Sequence, residues 1–322
     1  MKLIHFMHEC HWCLSPSIEV LCGAVIAPWI QGEHESKVVS QDRLSEYCRC
    51  NGCGLHFFSK RFTEAQLEVM YSHYRDAKYQ KHRQRFEPWY TKKVNFGIGN
   101  SEETIALRKA NLLKLVNRAV INGTISPPVS IVDWGGDQGQ FIPDFQHAPK
   151  KMVYEISNVK PIIGVGQVAS IQEIEAVKPD FIMICHVLEH DHCARETINT
   201  ITELMPENGI LYIEVPDDRI SITPKHHTNA WWQLFLLNHR LLFIVLDAYS
   251  LFTLRILKKR LPLQILKQSE HVNFFNRDSI VVVLKSFGFE LIDESRYSTD
   301  RKTSKSEIQA LGLLMKKIKP RN

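Results

Sequence analysis

The sequence predicts an α/β protein: a doubly wound, mostly parallel, Rossmann-like sheet with a small N-terminal cysteine-bearing region and a helical insertion. Three observations predict it. The segment IVDWGGDQGQF, Ile131 to Phe141, reads as a buried strand running into a glycine-rich turn and then a helix. Gly135 and Gly136 permit backbone angles closed to other residues and let a ligand lie against the main chain, and Asp133 stands at the strand end where open α/β sheets bind their ligands. Lys151 to Glu155, KMVYE, reads as a second strand ending in an acid. An acid about 20 residues after the glycine turn is the usual ribose-hydroxyl ligand of nucleotide-binding α/β units. Asp180 to His190 is an apolar strand running straight into HVLEH.

The remaining elements follow in order. Residues 1–61 form a region of cysteines, histidines and short apolar runs. Residues 62–100 form a helical linker, with Leu67, Met70, Tyr71 and Tyr74 at helical spacing. The core then occupies 101–322. Ser101 is a helix N-cap with Glu102 and Glu103 in the first turn, and Ile105, Leu112, Leu115, Val116 and Ala119 supply the apolar face. Gly123 and the Pro127-Pro128 pair end that helix before the strand at Ile131. After the strand near Phe181 come a helix from Ala194 to Met205, a turn at Pro206–Gly209 and a strand to Val215, an alternation that builds a parallel sheet. An apolar insertion occupies about 219–268. Asp278 to Phe287 reads as helical and Gly288 to Ile292 as a closing strand, while the Lys/Arg-rich last twenty residues read as a loosely held helix or tail.

At 322 residues there is room for about two domains. The net charge of +5 is unevenly spread: Ile131–Asp218 carries 5 Lys/Arg against 15 Asp/Glu, and Arg219–Lys267 carries 8 Lys/Arg against Asp247 alone. The acidic core is unsuited to a phosphate backbone, which argues against nucleic acid as a partner. The basic flank suits an anionic small molecule or membrane face. The N-terminus lacks the unbroken apolar run of a secretory signal, and eight cysteines outside an oxidising compartment suggest metal, so a cytoplasmic setting is expected. Cys10-x-x-Cys13 and Cys50-x-x-Cys53 are two knuckles whose four thiolates suit one tetrahedral structural Zn²⁺. Cys48 is a competing ligand; Cys22, Cys185 and Cys193 read as packing.

The three core segments, in this order, resemble the class I S-adenosylmethionine-dependent methyltransferases. Their first motif, D-x-G-x-G-x-G, is matched by Asp133, Gly135 and Gly139, with Asp137 in place of the middle glycine. The resemblance implies that Asp133 and the Gly135/Gly136/Gly139 turn hold the methionine part of S-adenosylmethionine and Glu155 its ribose hydroxyls, with Cys185 and His186 beside the cofactor. The segments CNGCGLHFFSKRFTEAQLEVMYSHY and EHVNFFNRDSIVVVLKSFGFEL resemble the zinc-binding N-terminal and the C-terminal regions of sugar- and polysaccharide-modifying members. That implies a sugar nucleotide, a surface-polysaccharide precursor or a lipid-linked glycan as acceptor. A rival is a non-catalytic binding module with a degenerate fold, for which Asp137 is the best support. A nicotinamide oxidoreductase is disfavoured because residue 134 is not glycine.

HVLEH admits several readings. His186, Glu189 and His190 would share a helical face if a helix began there, as in the inverted zinc-peptidase motif, which requires a long helix. The segment also resembles the acid-x-x-acid-His of ubiquinone-pathway O-methyltransferases, which hold a divalent ion, but His186 replaces the first acid. His190 at the strand end is the candidate general base, with His271 helping to position the acceptor; the other reading is that Glu189 and His190 only fix the loop. The stretch Ala230–Leu257 is too interrupted by His239, Arg240 and Asp247 to span a bilayer. It reads as a helical cap, a homodimer interface or a peripheral membrane-contact helix.

Overall fold

The computed structural model describes residues 4–5, 9–30, 43–63, 67, 76–97, 101–146, 149–155, 159–217, 235–257, 263–298 and 309–319. The chain divides into two compact units, residues 1–98 with 219–274, and residues 99–218 with 275–322. The 219–268 insertion therefore belongs with the N-terminal region. The physical reason is strand pairing: Lys267–Gln268 at the insertion's end and Asn273–Phe274 just after it join the N-terminal sheet.

The N-terminal unit contains β1 (Ile4–His5), β2 (Ile18–Ile26), β3 (Leu44–Cys50), β4 (His56–Phe58), β5 (Lys60–Arg61), α1 (Ala77–Gln84), α2 (Lys92–Gly97), α6 (Arg240–Leu257), β11 (Lys267–Gln268) and β12 (Asn273–Phe274). Its five-stranded sheet has the order β11-β2-β3-β4-β12, and β1 pairs with β5. Lys267 and Gln268 pair in parallel with Val25 and Ile26, while Asn273 and Phe274 pair antiparallel with Phe57 and His56. Leu21, Cys22, Ala24, Tyr47, Phe58, Leu266 and Phe274 form one core of this unit. The expected helical linker over 62–100 is described only in part, as α1 behind the Asp76 N-cap and α2; Met70, Tyr71 and Tyr74 lie outside the described residues.

The C-terminal unit contains α3 (Glu102–Ile121), β6 (Ser130–Trp134), β7 (Lys150–Tyr154), β8 (Gly166–Val168), α4 (Ile171–Val177), β9 (Phe181–Cys185), α5 (Ala194–Leu204), β10 (Ile210–Pro216), α7 (Arg277–Ser286), β13 (Phe289–Ser298) and β14 (Gln309–Lys317). Its seven-stranded sheet has the order β13-β14-β10-β9-β6-β7-β8. Strands β6 to β10 are mutually parallel, and β14 alone runs antiparallel, between β10 and β13. This is the predicted Rossmann-like sheet, with its reversal of strand order at β6, where open sheets form ligand crevices. Ser101 caps α3 by accepting from the Thr104 N–H at 3.1 Å, and Leu112, Leu115, Val116 and Ala119 pack with Ile131, Phe181, Ile210 and Leu314.

The expectation of a loose C-terminal tail is corrected. Ala310, Leu311, Leu313, Leu314 and Met315 are fully buried in β14. The apolar run is short, and the lysines around it masked its strand character. Gly312 is required there, because a Cβ would sit 2.7 Å from the Tyr212 hydroxyl.

One polar cluster lies inside this unit. Arg108 projects from the apolar face of α3, and its Nε lies 2.5 Å from Glu214 Oε1 on β10, with both side chains buried. The Arg108 guanidinium also covers the Phe141 ring at 3.6 Å. Removing one partner of a buried ion pair leaves the other charged and unpaired, a cost of about 3–5 kcal/mol. Arg108→Ala should lower unfolding free energy by about that amount in urea denaturation. A loss under about 1 kcal/mol would show that the pair is solvent-compensated.

Candidate functional site

The ligand edge of the C-terminal unit is built at the ends of β6, β7, β9 and β10. Strand β6 delivers Asp133, which is completely buried. Among the described residues neither of its carboxylate oxygens has a hydrogen-bond partner. Burial pushes its pKa up to about 8, against the pull of Arg108 and with help from the nearby Glu214, Glu155 and Asp137 carboxylates. A buried carboxylate without a partner is costly, and a cationic ligand group at this edge would relieve the cost.

The turn after β6 keeps this carboxylate accessible to the main chain. Gly135 adopts φ +68°, and a Cβ at Gly136 would fall 2.2 Å from the Asp133 carboxyl carbon. Gly139 closes the turn by donating to the Gly136 carbonyl at 2.8 Å. Asp137, in the middle-glycine position, takes φ 54°. Its backbone thus holds the left-handed conformation that a glycine would supply, and its carboxylate accepts from Gln140 Nε2 at 3.2 Å. The departure from the motif leaves the turn intact. Glu155, directly after β7, accepts from the Asp137 N–H at 3.0 Å, which joins the second acid to the glycine turn.

At the end of β9, Cys185 is buried and burial raises its thiol pKa. HVLEH is a turn here, and helix α5 starts only at Ala194. The helical-face reading is therefore corrected, and with it the zinc-peptidase reading, which requires a long helix. His186 has φ 57°, held by its N–H donating to the Glu214 carbonyl at 2.9 Å. Its Nδ1 lies 2.9 Å from Glu189 Oε1 and its Nε2 3.2 Å from Glu214 Oε1. Burial pulls the His186 pKa down, but the two carboxylates prevail and raise it to about 9. His186 is thus an imidazolium at neutral pH, and the position that the ubiquinone-pathway pattern fills with an acid carries a cation. Burial would raise the Glu214 pKa, yet Arg108, His186 and Tyr297 hold it far below the carboxylate range. Tyr212 donates to Glu214 Oε2 at 2.8 Å, and Tyr297 from β13 donates to the same oxygen.

His190 is half-buried in the same turn, its N–H donating to the Val187 carbonyl at 2.9 Å. His271 is half-buried ahead of β12 in the N-terminal unit. Sequence reasoning missed Arg108, Glu214, Tyr212 and Tyr297. A lone arginine in the apolar stripe of α3 and a lone glutamate in ILYIEVP were the available signals.

The N-terminal unit brings the four expected cysteines together. Cys10, Cys13, Cys50 and Cys53 place their sulfurs all within 4.8 Å of one another. Cys10 Sγ lies 3.9 Å from Cys53 Sγ, and Cys13 Sγ 3.4 Å from Cys50 Sγ. Four thiolates at Zn–S distances of about 2.3 Å lie about 3.8 Å apart at the corners of a tetrahedron, so the donor set fits zinc. Each knuckle is a tight turn, closed by Leu14 N–H to the Cys10 carbonyl at 2.7 Å and by Gly54 N–H to the Cys50 carbonyl at 2.9 Å. The Cys53 N–H also donates to Cys50 Sγ at 3.5 Å. Cys48 stands apart, its thiol directed to the Glu46 carbonyl.

S-adenosylmethionine fits the residues at the strand edge: the ammonium of its methionine part suits the unpartnered Asp133 carboxylate, and a ribose diol suits an acid at the end of β7. Because Asp133 is largely protonated below its pKa of about 8, binding an ammonium there should release a proton, and affinity should rise with pH up to about 8. Calorimetry with S-adenosylhomocysteine at pH 7, in buffers of different ionisation enthalpy, should show that release, and Asp133→Asn should abolish it. Heat independent of the buffer would contradict the assignment.

The model of the methyltransferase domain family matches residues 71–294. No curated protein matches the chain. Among solved structures, the chain is similar to 1,6-didemethyltoxoflavin-N1-methyltransferase of Burkholderia thailandensis, crystallised with 1,6-didemethyltoxoflavin and S-adenosylhomocysteine, at 13% identity over 74% of this chain and 90% of that one, TM-score 0.41. It is also similar to magnesium protoporphyrin IX methyltransferase of Synechocystis PCC 6803 with bound SAH, at 12% identity over 78% and 99%, TM-score 0.43. A third is an N-methyltransferase of Bradyrhizobium japonicum WM9, at 11% identity over 68% and 99%, TM-score 0.38. At such scores and identities these likenesses carry no argument about an acceptor. The family model covers well over half of the sequence and includes Asp133, the glycine turn, Glu155, Cys185, His186 and Glu214, and the chain accordingly belongs to the methyltransferase domain family, as an S-adenosylmethionine-dependent methyltransferase.

Proposed function

We propose that this methyltransferase acts on a sugar nucleotide, a surface-polysaccharide precursor or a lipid-linked glycan, in the cytoplasm, with a structural Zn²⁺ in its N-terminal unit. The observation that carries the cofactor site is the buried, unpartnered Asp133 carboxylate beside the glycine turn. In this reading Asp133 with Gly135, Gly136 and Gly139 binds the methionine part, Glu155 the ribose, and Cys185 and His186 flank the cofactor. The acceptor class is supported by the likeness of the cysteine knuckles and of the EHVNFF segment to sugar-modifying members. Cofactor chemistry supplies an activated methyl group, so the protein's main contribution is alignment of acceptor, methyl and sulfur.

His190 is assigned as the general base that takes the acceptor's proton, and His271 as an acceptor-positioning residue. The motivation is the placement of His190 at the end of β9, the ligand edge of the sheet. With a sugar-nucleotide acceptor, His190→Asn should lower turnover by about 10²–10⁴ while leaving cofactor affinity unchanged. Near-normal turnover in the variant would return His190 to a loop-fixing role.

A closed Cys₄ site offers zinc no open position, so its contribution is to folding. Metal analysis of the purified protein should give about one zinc per chain, and a chelator should lower its thermal midpoint. Metal-free protein of undiminished thermal stability would remove zinc from the account.

A further inference from the structure

Helix α6 buries polar groups among its inward apolar residues and turns a second apolar face outward. Its inward face buries Asp247, Ser250 and Thr253 beside Phe243. Its outward face presents Leu241, 79% exposed, Val245, 62% exposed, and Phe252, 61% exposed. Ala248 is exposed between them. At the helical step of 100° per residue these four positions fall within an arc of about 60°, so they form one continuous stripe. Leu263, just beyond the helix, adds another exposed apolar side chain.

The inward polar groups show that this orientation is built rather than accidental. Asp247 Oδ2 accepts from Lys267 Nζ at 2.6 Å. The Ser250 hydroxyl donates to the Leu246 carbonyl at 2.7 Å and accepts from the Ile265 N–H at 2.9 Å. Thr253 donates to the Tyr249 carbonyl at 2.8 Å and accepts from Gln264 Nε2. Rotating the helix to bury the stripe would strand each of these groups, so the apolar stripe is committed to the outside. An exposed apolar stripe of this kind marks an interaction surface.

We propose that the α6 stripe docks the protein on an anionic phospholipid surface. The charge around the helix selects this partner. Residues 219–267 carry eight Lys/Arg, including Lys258, Lys259 and Arg260 directly after the helix, and their one acid is Asp247. That acid is buried and paired with Lys267; with the pair set aside, the segment holds seven Lys/Arg and no acid. By sequence the segment is strongly cationic, so two copies of it would repel one another, whereas an anionic headgroup layer complements it. No described helix is long and apolar enough to cross a membrane. A helix with its apolar face in the acyl boundary and cations at the headgroups lies on the surface instead. This inference stands independently of which acceptor is methylated.

Co-sedimentation of the full chain with vesicles tests it. The protein should bind phosphatidylcholine vesicles containing about 30% phosphatidylserine and ignore pure phosphatidylcholine. Leu241→Ser/Val245→Ser/Phe252→Ser should weaken that binding at least about tenfold. Lys258→Glu/Lys259→Glu, which leaves the stripe untouched, should weaken it by a similar factor. Wild-type protein that ignores anionic vesicles overturns the proposal. A wild-type dimer in sedimentation velocity that the triple serine variant dissociates overturns it in favour of a second copy.

Discussion

Glu214 sits completely buried near the end of β10, ionised, with the ligand edge arranged around it. A carboxylate removed from water costs several kcal/mol unless its partners are close and fixed. Here they come from four places in the chain: Arg108 on α3, His186 after β9, Tyr212 on the same strand and Tyr297 on β13. Satisfying this one charge therefore sets the position of α3 and pins the β9 end into the left-handed turn at His186. It also demands Gly312 on β14, where any side chain would collide with the Tyr212 hydroxyl. The ligand edge of the sheet therefore rests on a buried charge whose partners are drawn from four separate places.

Asp133 is the contrasting case. Glu214 has a guanidinium, an imidazolium and two phenols; Asp133, two strands away on β6, is fully buried and has no hydrogen-bond partner among the described residues. Two buried acids in one unit thus sit in opposite states: one held ionised by fixed cations, the other kept protonated by burial until a cation arrives. In the proposed reading, folding tolerates the second because a ligand completes it.

Much of this was legible in the sequence where local pattern and spacing carry the information. The glycine turn, Asp133, Glu155, the apolar strand before HVLEH and the two cysteine knuckles fall within short segments, and the structure places them as their spacing implied. The features that were not legible depend on distant partners. Arg108 and Glu214 are 106 residues apart in numbering and read singly as anomalies. Strand β14 was hidden by flanking lysines, although its fully buried run fits a central strand. HVLEH has helical spacing, but Glu214 takes the His186 N–H and side chain and holds the segment as a turn. Helix α6 carries apolar residues on both sides of a helical wheel, so only its packing revealed which face is outside.

The central claim is that the turn after β6 and the acid after β7 form the cofactor cradle. The most direct measurement is a crystal structure of the protein with S-adenosylhomocysteine. The methionine ammonium is expected within hydrogen-bond reach of the Asp133 carboxylate or one water away from it, and the ribose hydroxyls against Glu155. Density for the ligand elsewhere on the chain, with Asp133 still unpartnered, would contradict it.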